Sequence, residues 1–436
     1  MKSARYQLLQ LVCFLLMFRA GVLLAQTPSV DAKAQAEVVN KIAALLQDNY
    51  VFPDVGAKAG ELLQEQLAKG TYTPVTRPQA FAEQLTKDLQ SVTHDKHMRV
   101  FMAPPPPDKD KKEDPAEREL RFLRHDARNN FGFYKLERLS GNVGYLDLRG
   151  FSPAEVGGAT AIAAMNFLAN SDAVIIDLRK NGGGDPSMIQ LISSYFFKEH
   201  THLNNLYWRK GDRTDQFWTL PYVPGKSMAE TPLYVLTSAR TFSGAEEFTN
   251  NMKVLKRAKI IGETTGGGAN PGGFFPIAAG LGMFIPTGRA VNPVTGTNWE
   301  GAGVEPDERV PSADAFNVAY KEALQKIEST SKDQQAKTDA AWALVGVEAQ
   351  LKPVNPSPED LQALAGNYGN RHIAVEGGTL YLQLENHRVK LVPMTPDTFA
   401  VDGAEAPRLR FTAGGKGGGK LTELYPDGRQ NELTRQ

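Results

Sequence analysis

Between Val143 and Ile261 short, continuously apolar runs alternate with longer stretches whose apolar residues recur at helical spacing, and no other feature restricts the fold as much. Val143-Gly144-Tyr145-Leu146-Asp147-Leu148 reads as a strand, Ala159 to Leu168 as a helix, Ala173 to Leu178 as a buried strand and Met188 to Phe197 as a helix. Leu233 to Leu236 and Lys259 to Ile261 supply further strands. Strands that recur only after helices pair in parallel, so the pattern predicts α/β layering around a largely parallel sheet.

Two of the connections carry chemistry. Thr241-Phe242-Ser243-Gly244-Ala245-Glu246 ends one apolar strand and opens a helix running from Ala245 to Leu255. A serine there either caps the helix or presents its hydroxyl at a chain turn. In the second case the N–H of Gly244 lies at the positive end of the helix, where an oxyanion formed at the serine is stabilised. The other connection, Arg179-Lys180-Asn181-Gly182-Gly183-Gly184-Asp185, offers unhindered backbone N–H groups and close approach to a ligand. It has neither the Gly-Lys-Ser/Thr ending of a phosphate loop nor the spaced glycines of a dinucleotide loop.

The flanking regions differ. From Ala34 to Val92 apolar residues recur at helical spacing in three runs, with Gly70 as a stop and Thr76-Arg77-Pro78-Gln79 as a capping-box start, which predicts a small helical domain. It closes at His94-Asp95-Lys96-His97, before a strand-like Met98 to Met102. Pro104 to Pro107 and the charged run Asp108 to Glu119 then break all periodicity. From about Pro356, short alternating runs separated by Glu376-Gly377-Gly378, Asp402-Gly403 and Pro426-Asp427-Gly428 predict a small antiparallel β domain, with Gly414 to Gly419 as a hairpin tip. The resulting division is a leader over 1–25, a helical domain over 26–102, a linker over 103–128, the α/β domain over 129–325, a helical linker over 326–355 and the β domain over 356–436.

Lys2, Arg5 and the apolar Leu8 to Phe18, followed by small or apolar residues to Ala25, have the order of a secretory signal cleaved near Ala25. Export is therefore expected. Cleavage also removes Cys13, the only cysteine, which leaves no thiol nucleophile, cysteine metal site or disulfide, and no integral membrane segment in the mature chain. With 49 basic and 49 acidic residues there is no basic excess, so nucleic acid is excluded as an expected partner. His94 and His97 form a His-x-x-His pair without a further ligand cluster, so neither metal nor other cofactor is expected.

Four peptides occurring in order, Asp177 to Gly184, Thr237 to Glu246, Gly262 to Gly267 and Glu300 to Asp307, resemble the tail-specific and tricorn-core serine peptidases, a family that includes the repeats of interphotoreceptor retinoid-binding protein. The resemblance covers roughly Ala34 to Val310. It implies a ClpP/crotonase-like α/β sheet with helices, and a peptide or unfolded protein as substrate. It makes Ser243 the nucleophile, with the N–H groups of Gly244 and Gly183 as the oxyanion hole. Tail-specific members take their base from a lysine in a Gly-Lys-Gly turn, whereas this chain has Gly266-Gly267-Gly268-Ala269-Asn270 and Lys253, Lys256 and Lys259 lie earlier. Tricorn-like members take a histidine from an Asp-x-His pattern, matched by Asp95-Lys96-His97, so His97 is expected as general base with an ordinary imidazole pKa near 6.5. Their orienting glutamate corresponds to Glu300 in Asn298-Trp299-Glu300-Gly301, with Glu246 and Glu263 as other candidates. Lys96 stands where the tricorn pattern has serine, and no PDZ module separates the helical and α/β parts. The implied function is an exported serine endopeptidase. The same fold also serves a carrier of a hydrophobic ligand or a hydrolase of another acyl compound.

Overall fold

The computed structural model describes residues 29–103, 123–383, 387–412 and 419–436, in two compact units. The expected leader, most of the expected linker and nearly all of the glycine-rich hairpin tip lie outside the described residues. Among the described residues no helix is long and apolar enough to cross a membrane.

The first unit contains residues 29–103 together with 208–212 and 271–288. Its helices are α1 (Ala32–Asn49), α2 (Pro53–Ala68) and α3 (Pro78–Thr93). Asp31 caps α1 by accepting the Ala34 N–H at 2.8 Å, and α2 stops just before Gly70, whose φ of 74° an L side chain resists. The capping box expected at Thr76 is not formed. Arg77 takes the N-cap without a side-chain bond, and Pro78 begins α3 because its fixed φ suits the first turn and its missing N–H costs nothing there. Val38, Ile42, Leu46, Leu63, Phe81, Leu85 and Leu89 bury the apolar stripes of the three helices against one another.

Beyond α3 the Arg99–Met102 strand pairs antiparallel with Leu281–Pro286, which pairs in turn with Gly272–Pro276; Val100 stands opposite Met283. A hairpin from far down the chain thus completes the helical unit. Val51 also donates its N–H to Pro286 O at 2.9 Å, and Arg209 Nη1 donates to Tyr50 O at 2.8 Å.

The second unit is built on a six-stranded sheet of β1 (Phe133–Leu139), β2 (Val143–Leu148), β3 (Ala173–Asp177), β4 (Leu233–Thr237), β5 (Lys259–Gly262) and β6 (Glu308–Arg309), in the order β6-β5-β4-β3-β2-β1. Only the β1–β2 pair is antiparallel. Alternation along β3 explains the double covering: Val174 and Ile176 join one core with residues of α4 (Ala154–Leu168), α5 (Pro186–Ser193) and α6 (Gly244–Val254), whereas Ala173 and Ile175 join a second core with α7 (Ala315–Thr330) and α8 (Gln334–Leu351). A hairpin of His202–Trp208 and Arg213–Trp218 flanks this layer, with Gly288–Val291 beside it.

After the short helix α9 (Pro358–Leu364), eight strands follow as a meander: β7 (Gly366–Tyr368), β8 (Arg371–Glu376), β9 (Thr379–Gln383), β10 (Arg388–Pro393), β11 (Thr398–Val401), β12 (Arg408–Thr412), β13 (Lys420–Leu424) and β14 (Gln430–Thr434). The ends meet. Tyr368 bridges Arg435, and Gln436 donates its N–H to Asn367 O at 2.9 Å, so the antiparallel sheet closes into a barrel around Tyr368, Phe399 and Phe411. The architecture is therefore the expected one of a helical region, an α/β unit and a closing antiparallel β domain.

Candidate active site

In a parallel sheet the connections leaving the C-terminal ends of neighbouring strands lie side by side. β3 and β4 are such neighbours, with Asp177 opposite Leu236, so residues 178–185 run beside residues 238–243. Hydrogen bonds lace the two loops. Thr241 Oγ1 donates to Leu178 O at 2.8 Å, Ser238 Oγ to Arg179 O at 2.7 Å, and Phe242 N to Asn181 O at 3.1 Å. Asn181, fully buried, anchors its loop to β2 by donating Nδ2 to Leu148 O at 3.0 Å. Below the loops Asp177 accepts the Arg179 fork at 2.5 and 2.9 Å and the Tyr145 hydroxyl at 2.8 Å.

Ser243 sits at the N-cap of α6 with φ 54° and ψ −122°. Side chains with a Cβ avoid that region at a cost of about 1–3 kcal/mol. It is the backbone of a sharp strand-to-helix turn, the arrangement used in nucleophile elbows, and Ser243 and Glu246 also stand in a capping-box relation at the start of α6. Its neighbours confirm how tight the turn is. A Cβ on Gly183 would lie 2.6 Å from Gly244 N and 2.9 Å from Ser243 Cβ, and one on Gly244 would lie 3.0 Å from Gly184 N. Backbone therefore packs on backbone, which only glycines allow.

The expectation for Gly183 meets one obstacle. Its N–H, at a φ of 105°, donates to Asn181 Oδ1 at 2.8 Å and so is already engaged. Among the described residues the N–H groups of Gly184 and Gly244 have no acceptor, and Gly184 is exposed. The triple-glycine loop thus abuts Ser243, with the Gly183 N–H engaged and those of Gly182 and Gly184 without an acceptor among the described residues.

The turn is held from within by Glu246, a residue that sequence reasoning raised only as a substitute for Glu300. Its carboxylate is buried, with Oε2 accepting Ser243 N at 2.8 Å and Gly268 N at 2.8 Å, and Oε1 accepting Gly267 N at 2.6 Å and the Thr265 hydroxyl at 2.5 Å. Burial raises its pKa above the ordinary carboxylate value, outweighing these four donors. Glu300 is tied to the same loop from a distant segment: its Oε2 accepts Ala269 N at 2.6 Å and the adjoining Trp299 donates its indole N–H to Gly268 O at 2.9 Å. The third carboxylate, Glu263, accepts Ala239 N and Ser312 N and is held below the ordinary carboxylate range by those bonds.

His97 belongs to the other unit. There it follows the left-handed His94 (φ 54°) that ends α3. Asp95 is fully buried, accepts the His97 backbone N–H at 3.0 Å through Oδ1, and lies 3.9 Å from His97 Nδ1. The His97 ring stacks on Phe284 of the inserted hairpin with centroids 5.7 Å apart. Burial, helped by the Arg99 charge, pulls its pKa down to about 4 instead of leaving it near 6.5. The ring is thus uncharged at neutral pH. The lysines near Ser243 in sequence are engaged elsewhere or exposed: Lys253 pairs with Asp307 and the Glu305 carbonyl, Lys259 pairs with Glu308 and Glu322, and Lys256 faces solvent.

Residues 142–310 match peptidase family S41, and residues 31–128 match the N-terminal domain of the S41 peptidase in eukaryotic IRBP; together the two matches account for well over half of the chain. The chain belongs to peptidase family S41. Among solved structures this S41 chain is similar to a candidate peptidase from Parabacteroides merdae, with 19% identity over 68% of this chain and 98% of that one and a TM-score of 0.49. It is also similar to the photosystem II D1 C-terminal processing protease (16% identity, 64% and 94% covered, TM-score 0.41). The tricorn protease is a further likeness (14% identity, 65% and 35% covered, TM-score 0.41).

Proposed function

We propose that this S41 chain is an exported serine endopeptidase with Ser243 as its nucleophile. The observation that carries this reading is the Ser243 backbone, a strained non-glycine turn at a helix start with glycines pressed against it. Strain of this kind persists only where the surroundings enforce it, and it concentrates at reacting groups. Ser243 Oγ attacks the scissile carbonyl carbon as its proton passes to a neutral imidazole. The developing oxyanion is met by the N–H of Gly244, at the positive end of α6, and by an N–H of the triple-glycine loop, Gly184 or a Gly183 released from Asn181. The imidazolium then protonates the leaving amine, and water releases the acyl group by the same steps in reverse order.

His97 is the base in this reading. Its support is the Asp95-Lys96-His97 pattern and an imidazole kept uncharged by burial, together with the engagement of Lys253 and Lys259 in ion pairs of their own. Glu300 is the orienting carboxylate, hydrogen-bonded to Ala269 of the loop that Glu246 ties to the Ser243 turn.

The test is to treat the full chain with a fluorophosphonate and map the adduct. Labelling of Ser243, with loss of both labelling and casein cleavage in a folded Ser243→Ala variant, is the expected result. An unlabelled wild type, or equal cleavage by wild type and variant, overturns the reading in favour of a ligand carrier on the same fold.

A further inference from the structure

The barrel wall facing α8 presents a second polar feature, remote in sequence from Ser243, Glu246 and Glu300. Along β12, Leu409 and Phe411 point into the barrel core, so the alternate residues Arg408 and Arg410 project outward. An outward arginine is ordinarily solvated. Arg408 is instead only 9% exposed, because α8 lies over it: its guanidinium carbon sits 3.8 Å from the centre of the Trp342 ring. Among the described residues this guanidinium makes no hydrogen bond and no ion pair, and burial alone pulls it down to about 10. A buried charge without a counterion is costly, so arginines in such positions normally carry a carboxylate partner.

Arg408 opens onto a cavity of about 680 Å³ between α8 and the barrel, a volume suited to a small organic ligand. Lys337, Arg410, Trp342, Tyr425 and Thr398 also line it. Three cations face it against one carboxylate, Glu328. Arg410 is partly balanced by Asp397, whose carboxyl is held below its ordinary range chiefly by its bond from Thr395, with a smaller share from the Arg410 charge. Arg408 is therefore the unanswered positive group.

We propose that this cavity is a binding site for a carboxylate carried on an apolar or aromatic body, such as the C-terminal residue of a short peptide, with Arg408 gripping the carboxylate and Trp342 and Tyr425 flanking the body. The planar guanidinium offers paired donors that match a carboxylate edge to edge, and a negative charge supplies the partner that the fold withholds. The aromatic walls favour an organic anion over a bare inorganic one. The site is independent of the Ser243 reading and would stand if that reading failed.

Calorimetric titration of the full chain with N-acetylphenylalanine, N-acetylphenylalaninamide, phenylacetate and inorganic phosphate tests it. The two acids are expected to bind, the amide at least tenfold more weakly, and phosphate more weakly than either acid. The acid with the higher affinity separates a peptide terminus from a free aromatic acid as the source. Arg408→Met is expected to lose at least tenfold in acid affinity, with Arg408→Lys keeping part of it, and Arg408→Met should unfold at or above the wild-type temperature because it removes a buried unpaired charge. If Arg408→Met does not fold, Lys337→Gln and Arg410→Gln read the same cavity, and each should weaken the acid. Equal binding of acid and amide, no binding of either acid, tighter binding of phosphate, or unchanged acid affinity in the arginine and lysine variants overturns the proposal.

Discussion

Glu246→Gln is the most informative single substitution, because it changes one atom in a buried site whose every donor is known. The wild-type carboxylate accepts four hydrogen bonds, two on each oxygen. A glutamine keeps one oxygen and places an NH₂ where the other was. If the NH₂ takes the Oε2 position it faces the N–H groups of Ser243 and Gly268, and both are stranded. In the Oε1 position it faces Gly267 N–H and the Thr265 hydroxyl, which can rotate to accept, so one N–H is stranded. The second arrangement is cheaper, at about 1–3 kcal/mol for one buried donor left unmade. For a unit of this size that corresponds to a fall of roughly 2–12 °C in melting temperature. It also leaves the Ser243 N–H bonded, so fluorophosphonate labelling should persist. Glu246→Ala strands the three backbone donors together, on the order of 3–9 kcal/mol, which approaches the whole stability of an ordinary domain. That variant should lose labelling and most of its folded population. Thermal unfolding of the three proteins, followed by labelling below each transition, checks both statements. An alanine variant that melts with the wild type and still labels would refute the view that Glu246 holds the Ser243 turn.

Burial pushes the carboxyl of the adjoining Glu247 up to about 7 from 4.5, so its contribution to stability is complete below about pH 4.5 and is lost as pH rises through 7, by about 3 kcal/mol; Glu247→Gln should abolish that decline in urea unfolding at pH 5 and 8, and a variant with the wild-type slope would contradict it. The His97 pKa is lowered instead, so the neutral base persists on acidification, and kcat/KM should stay level from pH 8 to about 5 before falling near 4; a limb centred near 6.5 or near 9 would argue against a buried His97 as the base. Gly183→Ala places a Cβ 2.6 Å from Gly244 N at a left-handed φ and should cost at least about 2 kcal/mol and all labelling, whereas Gly182→Ala, with nothing within 4 Å, should stay within about 0.5 kcal/mol; similar melting curves for the pair would undo the close-packed picture of the turn.

How far the chain could be read in advance depended on whether a feature is written locally. The parallel sheet was legible because β3 and β4 are continuously apolar, and Ser243 because strand and helix signals meet at it. The hairpin that completes the helical unit was not legible. Its strands carry Gly272, Gly273 and a largely exposed Phe274, which erase the alternation that marks a strand. The His202–Trp218 hairpin was equally hidden by its polar residues, among them Asn204, Asn205, Asp215 and Gln216. Barrel strands showed through their turn residues, but closure rests on Tyr368 meeting Arg435, a pairing no local pattern encodes. At the site, the engagement of Gly183 N–H depends on the rotamer of Asn181, and the importance of Glu246 on backbone donors some twenty residues away. Neither leaves a mark in residue type.

The pairing of Arg99 with Phe284 also dictates an order of events during synthesis. Helices α1 to α3 leave the ribosome first and can bury their shared stripe at once. The strand behind them cannot pair until the Gly272–Pro286 hairpin has been made, which requires β1 to β5 to be translated first. Through that interval Val100 and Phe101 lie on an open strand edge, the kind of surface that recruits a neighbouring chain. Closing so long a loop is also slow. A fragment ending at residue 103 would carry this edge permanently, so the helical unit is not a module to be expressed alone, and the earliest chaperone contacts of the nascent protein should fall on residues 99–102.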